Sequence, residues 1–230
     1  MSLIPPGVRA VCFDAVGTLL FPDPSATVIY AEAALRHGLH ISEEAVRDRF
    51  LAAYRREEDA DAAALWATSE DREHDRWRAI VADTLFGVAD LDACFAHLFE
   101  RFAQPGAWRV APDAAELLVA LDARGLVLGM GSNYDARLLS VLTGFPELAP
   151  LRDRVVVSAT VGVRKPHTDF FREVCRVAGC EPGEVLFVGD DVANDYAGAT
   201  AAGLHALLLD PRAKHPDVPH RITRLAALLS

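Results

Sequence analysis

The chain has 230 residues, of which 51% are hydrophobic and 24% charged, the balance of an ordinary globular protein with enough length to bury a core without staples. Its formal net charge of −10 argues against a nucleic-acid backbone or an anionic membrane surface as partner, yet leaves a small anionic substrate open. No apolar stretch is long enough to span a bilayer, and the first residues carry no apolar signal core, so a cytoplasmic protein is expected.

In chain order, residues 8–13 (VRAVCF) form a short apolar run that ends at Asp14 and is followed by Gly17 and Thr18. This reads as a buried strand entering a tight turn. From about Ser25 the period becomes helical. Val28, Glu32 and Leu35 share a spacing, and Gly38 stands where a helix ends. Ser42, followed by Glu43 and Glu44, opens a second helix with Val46, Phe50 and Tyr54 on one face. Trp77, Ile80, Val81, Thr84 and Leu85 mark a third helix, in which the run 70–76 (EDREHDR) reads as a solvated face. Leu91, Cys94, Phe95, Leu98 and Phe102 mark a fourth, closed by Pro105-Gly106.

Strand and helix patterns then alternate. Residues 126–131, 155–159, 185–189 and 206–210 read as buried strands, with helices near 113–124, 134–143, 167–178 and 192–202. Near-continuous apolar strands alternating with helices predict a parallel sheet covered on both faces. The expected fold is a doubly wound α/β core, residues 1–20 and 106–230, interrupted by an all-helical cap over 21–105. Cys12, Cys94, Cys175 and Cys180 show no metal-ligand spacing and are expected as reduced, mostly buried thiols.

Ligands of open parallel sheets bind beyond the carboxyl ends of the strands. The first strand delivers Asp14 there and the second Ser132 and Asn133. The loop GVRKP brings Lys165, one of only two lysines with Lys214, and the fourth strand leads into Asp190, Asp191 and Asp195. Asp14 can act as a nucleophile that forms an acyl intermediate. Asp190 offers hard oxygen to Mg²⁺, while Ser132 and Lys165 can stabilise phosphoryl oxygens. Several carboxylates at one spot repel one another unless a cation or a proton offsets them. His167 reads as a helix-start residue, and Arg47, Arg49, Arg55 and Arg56 as the solvent face of the second helix.

These residues carry a resemblance. FDAVGTLL (13–20), GSN (131–133), Lys165-Pro166 and GDDVANDYAGATAAG (189–203) resemble motifs I to IV of the haloacid dehalogenase superfamily, in a member with a four-helix cap. RWRAIVADTLFG (76–87) and AWRVAPDAAELLVAL (107–121) most resemble its rhythmically-expressed-gene-2-like branch. The resemblance implies a Mg²⁺-dependent hydrolase with Asp14 as nucleophile. Metal would be held by Asp14, the Val16 carbonyl and Asp190, with Asp195 water-mediated or outside the first ring of ligands. Thr18, Ser132, Asn133 and Lys165 would serve the substrate, Thr18 by ordering the first turn. Asp191 stands where the family more often has serine.

One position departs from the family. Phosphatases that resemble this chain carry a second Asp two residues after the nucleophile as general acid and base, and here that residue is Val16. Loss of such a group typically removes about 10²–10⁴ in rate. The expected function is a phosphatase acting on a small phosphorylated metabolite, either one with a good leaving group or with another base, such as Asp23, in place of the absent acid. The alternatives are a 2-haloacid dehalogenase, whose halide needs no proton, and a catalytically weakened binding or regulatory protein. Asp23, set between Pro22 and Pro24, reads as a turn residue.

Overall fold

The computed structural model describes residues 3–229. In chain order its elements are β1 (Ala10–Phe13), β2 (Leu20–Pro22), α1 (Ala26–Arg36), α2 (Glu43–Ala63), α3 (Glu70–Thr84), α4 (Leu91–Arg101), β3 (Trp108–Val110), α5 (Ala114–Ala123) and β4 (Val127–Ser132). There follow α6 (Arg137–Thr143), β5 (Val155–Val157), α7 (Ser158–Val161), α8 (Thr168–Ala178), β6 (Val185–Gly189), α9 (Gly198–Ala201), β7 (His205–Leu209) and β8 (Arg221–Ile222).

Six strands form one parallel sheet in the order β5-β4-β1-β6-β7-β8. Successive residues of a strand face opposite sides, and the core divides accordingly. Val11, Phe13, Leu128, Met130 and Val188 pack under α5 and α6. Ala10, Cys12, Val185 and Phe187 pack under α8 and α9. Burial on both sides is why β1 and β6 read as unbroken apolar runs. The chain leaves β1 first toward β4 and returns later to β6 on its other side, so the order reverses at β1. This switch point is where a doubly wound sheet opens a crevice.

The insert between β1 and β4 carries α1–α4 around a core of its own, including Ile29, Val46, Val81, Leu85 and Leu98. The α1 helix ends as the sequence suggests. Gly38 takes a positive φ, its N–H bonds the Leu35 carbonyl, and the Leu39 N–H reaches back to Ala34, the paired bonds of a left-handed helix stop. Ser42 accepts from the Ala45 N–H to cap α2. Cys12, Cys94 and Cys175 are buried and Cys180 half-buried, all free. Among the described residues no helix is long and apolar enough to cross a membrane.

Four sequence expectations need adjusting. The strand expected over 155–159 ends at Val157, because the Ser158 hydroxyl is bonded to the backbone of Tyr134 and a helical turn begins. The helix expected from 134 starts at Arg137, since Asp135 captures the Arg137 N–H and guanidinium. The helix expected over 192–202 opens as a π-helical turn, Val192–Ala197, before α9. Finally, the two chain crossings between core and cap pair as an antiparallel ribbon, β2 with β3, which no alternating pattern announced.

Candidate active site

Asp14 leaves β1 and Asp190 leaves β6, its neighbour in the sheet. Ser132 ends β4, on the other side of β1. The turn after Asp14 must pass close to Asp190. Gly17 has a φ of +100°, and a Cβ there would lie 2.5 Å from an Asp190 carboxylate oxygen, so any side chain at this position would displace the carboxylate.

Lys165 stands at the centre. Its Nζ donates to Asp14 Oδ1 at 2.6 Å, to Asp195 Oδ1 at 2.6 Å and to the Gly131 carbonyl at 3.1 Å. Asn133 holds the lysine's peptide at both ends. Its Oδ1 accepts from the Lys165 N–H at 2.8 Å and its Nδ2 donates to the Lys165 carbonyl at 3.0 Å. Asp195 spends its second oxygen on the Asp191 N–H at 3.0 Å. Asp191 caps the π-helical turn, accepting from the Ala193 and Asn194 N–H groups at 2.8 and 2.7 Å. Its difference from serine therefore leaves the capping function intact.

Two of three clustered carboxylates share one ammonium. One ligand atom from each of Asp14, Asp190 and Asp195 lies within 4.8 Å of the others. Burial raises the Asp14 pKa against the opposing charge of Lys165, and Asp195 raises it further. Loss of water and the charges of Asp14 and Asp195 raise Asp190. Since Asp190 stays open to the cavity, repulsion by its neighbours is the firmer of its causes. Burial alone would lower Lys165, but Asp14 and Asp195 outweigh it and hold the ammonium charged. The residual negative charge fits a cation bound at Asp14 and Asp190. Asp195, with both oxygens engaged, fits a supporting position.

A cavity of about 360 Å³ opens above this cluster, between sheet and cap. Asp14, Val16, Ser132, Asn133, Lys165, Asp190, Asp191 and Asp195 all line it. Thr18 does not. It is fully buried behind the turn, and its hydroxyl has no hydrogen-bond partner among the described residues. Asp23 is exposed and off the cavity. No His, Glu or Cys lines the cavity among the described residues. His167 caps α8, accepting from the Asp169 N–H, and Arg47, Arg49, Arg55 and Arg56 are solvent-exposed.

The run 70–76 is not a solvated face throughout. Glu73 and Arg76 are each 1% exposed and belong to an ionic clasp between cap and core. Arg76 bonds Asp61 at 2.9 Å and Glu58 at 2.5 Å, while Arg164, next to the site lysine, bonds Glu73 and, at 3.3 Å, Glu58. Sequence reasoning passed over these residues. A signal existed. Glu58 and Asp61 continue the i, i+4 stripe of Val46, Phe50 and Tyr54 along α2, so charges stood where the helix turns inward.

Comparison with known proteins bears on the family and the fold. The model of a hydrolase family described as haloacid dehalogenase-like hydrolase matches residues 8–203. Human haloacid dehalogenase-like hydrolase domain-containing protein 3 is 32% identical over 96% of this chain and 92% of its own length. Glyceraldehyde 3-phosphate phosphatase of Methanothermobacter thermautotrophicus is 31% identical over 49% of this chain and 50% of its own. Among solved structures, L-2-haloacid dehalogenase from Xanthobacter autotrophicus superposes with a TM-score of 0.74 at 20% identity, covering 96% of each chain, a likeness of fold.

Proposed function

The chain belongs to the haloacid dehalogenase-like hydrolase family, and we propose that within it the protein is a Mg²⁺-dependent phosphatase acting on a small phosphorylated metabolite through an aspartyl-phosphate at Asp14. The observation that carries this reading is the cluster of three carboxylates, two of them bonded to one lysine, beside a cavity. Asp14, the Val16 carbonyl and Asp190 would hold the metal, with Asp195 behind them. When bound, Mg²⁺ supplies the charge that lets an anionic carboxylate approach an anionic phosphoryl group.

The chain's own residues do the rest. An Asp14 oxygen attacks phosphorus, the bond from phosphorus to the leaving oxygen breaks, and an acyl phosphate remains on Asp14. Lys165 stabilises the charge on the transferring group, and Ser132, at the end of β4, offers a hydroxyl to it. Asn133 fixes the lysine's backbone. Water then cleaves the acyl phosphate and releases inorganic phosphate. With Val16 in the acid's place, the leaving oxygen departs without a proton from that position.

Hydrolysis of acetyl phosphate should disappear in EDTA and return with Mg²⁺; undiminished turnover in EDTA overturns the reading. Val16 is the one feature that favours a 2-haloacid dehalogenase instead. That alternative requires metal-independent release of chloride from 2-chloropropionate.

A further inference from the structure

Much of the cavity wall is aromatic. Rings follow one another from the cap to the core: Tyr54 to Phe50 at 6.0 Å between centroids, Phe50 to Tyr30 at 5.4 Å, Tyr30 to Phe102 at 6.1 Å, Phe102 to Trp108 at 5.7 Å and Trp108 to Tyr134 at 6.3 Å. All six line the cavity. The chain of rings ends at Tyr134, two residues after Ser132 in sequence.

The cations of the cavity are already paired. Arg76 is held by Asp61 and Glu58. Arg137 is held at 2.6 Å by Asp135 and lies 3.5 Å from the centre of the Phe99 ring. Arg164 is held by Glu73 and Glu58, and Lys165 by Asp14 and Asp195. A second anionic group on the substrate would find no free cation among the described residues that line the cavity, and burying it unpaired is costly. An uncharged ring would meet surface suited to it.

Resting on the phosphatase reading above, we infer that the substrate is an aromatic phosphate monoester whose leaving group is uncharged, seated against Phe50, Phe102 and Trp108. Val16 fits the same substrate. A phenol resembles tyrosine, with a pKa of about 10, so it departs as phenolate without the proton that an alkoxide would need. The wall and the departure at Val16 then describe one leaving group.

The test is calorimetric titration of the wild-type protein with Mg²⁺ against methylphosphonate, phenylphosphonate and 3-phosphonopropionate, alongside turnover of acetyl phosphate. Phenylphosphonate should bind about tenfold or more tightly than methylphosphonate, as expected for burying one ring. The added carboxylate of 3-phosphonopropionate should gain nothing. Phe50→Ala should shrink the phenyl-to-methyl ratio several-fold, and Ala26→Phe, which narrows the cavity, should shrink it by another route, with thermal melts reporting the fold of each. Equal binding of the phenyl and methyl compounds, or tightest binding of the carboxylate, overturns the inference. If the phenyl preference is absent while acetyl phosphate is hydrolysed, the aromatic subsite falls and the phosphatase reading stands. If the preference is present without turnover, the subsite stands and the phosphatase reading falls.

Discussion

Consecutive residues of one loop serve two different carboxylate clusters. Arg164 enters the clasp with Glu58, Glu73 and, at 3.4 Å, Asp61, while Lys165 enters the site with Asp14 and Asp195. In the clasp each of these carboxylates meets a guanidinium. Arg76 and Arg72 share Asp61, and Thr68 adds a hydroxyl to Glu73 at 2.8 Å. Planar forks satisfy several oxygens at once, so the clasp acts as structure, although Glu73 Oε2 and Arg164 Nε have no hydrogen-bond partner among the described residues. In the site a single ammonium faces three carboxylates, and the pKa values of Asp14 and Asp190 rise. Similar ingredients give a fastener where charges are matched and a reactive centre where they are not.

The sharpest way to break this contrast is to neutralise one member of each cluster. Asp14→Asn removes the nucleophile and relieves crowding of charge. Turnover of acetyl phosphate should fall by at least about 10³-fold, with the melting temperature little changed. Appreciable turnover in the purified variant excludes covalent catalysis by Asp14. Arg164→Met does the opposite. It strands Glu73 among buried groups, and breaking a buried pair from one side costs about 3–5 kcal/mol. Urea unfolding should report that loss. A variant as stable as the wild type means the clasp contributes no net stability.

How much of this was legible depended on where the partner of each residue lies. Asp14, Ser132, Lys165 and Asp190 could be placed because apolar strands announce their own ends, and the order of strands then dictates the meeting point. Ser42, Gly38 and His167 cap helices through neighbours a few residues away, which a sequence displays. Glu73 and Arg164 are separated by 91 residues, and nothing local distinguishes a buried, paired charge from a solvated one. The β2–β3 ribbon was hidden for a similar reason: three-residue strands containing Pro22 and Arg109 lack a period, and their pairing is long-range. Thr18 was expected to serve the substrate by ordering the first turn; it lies buried within that turn, off the cavity.

Val16 allows the site to be pushed from the other side, by adding charge. Native rates across substituted phenyl phosphates should depend steeply on leaving-group pKa, with acyl phosphates fastest and alkyl phosphates nearly inert. Val16→Asp should flatten that dependence and speed alkyl substrates by roughly 10²-fold, the lower end of what general acid catalysis contributes. The new carboxylate adds to a cluster that already repels itself, which holds the gain to that lower end. Equal native rates for alkyl and aryl substrates would mean that another group supplies the proton.

The smallest expected effect tests whether the two clusters are independent. Asn133 grips the Lys165 peptide through both ends of its amide, and that peptide is joined directly to Arg164. If Asn133 positions the lysine alone, Asn133→Ala should lower kcat for acetyl phosphate about thirtyfold, because two net hydrogen bonds of roughly 1 kcal/mol each no longer fix the ammonium. The cap–core clasp should keep its strength, since Arg164 is anchored by Glu58 and Glu73 and needs no help from Asn133. The measurement is a double-mutant cycle on unfolding free energy between Asn133→Ala and Arg164→Met, read beside kcat. Additive stabilities with a reduced kcat place the division between fastener and reactive centre at the bond between residues 164 and 165. A coupling above about 0.5 kcal/mol would mean that the loop transmits strain from one cluster to the other, and that cap attachment and lysine placement form one mechanical unit.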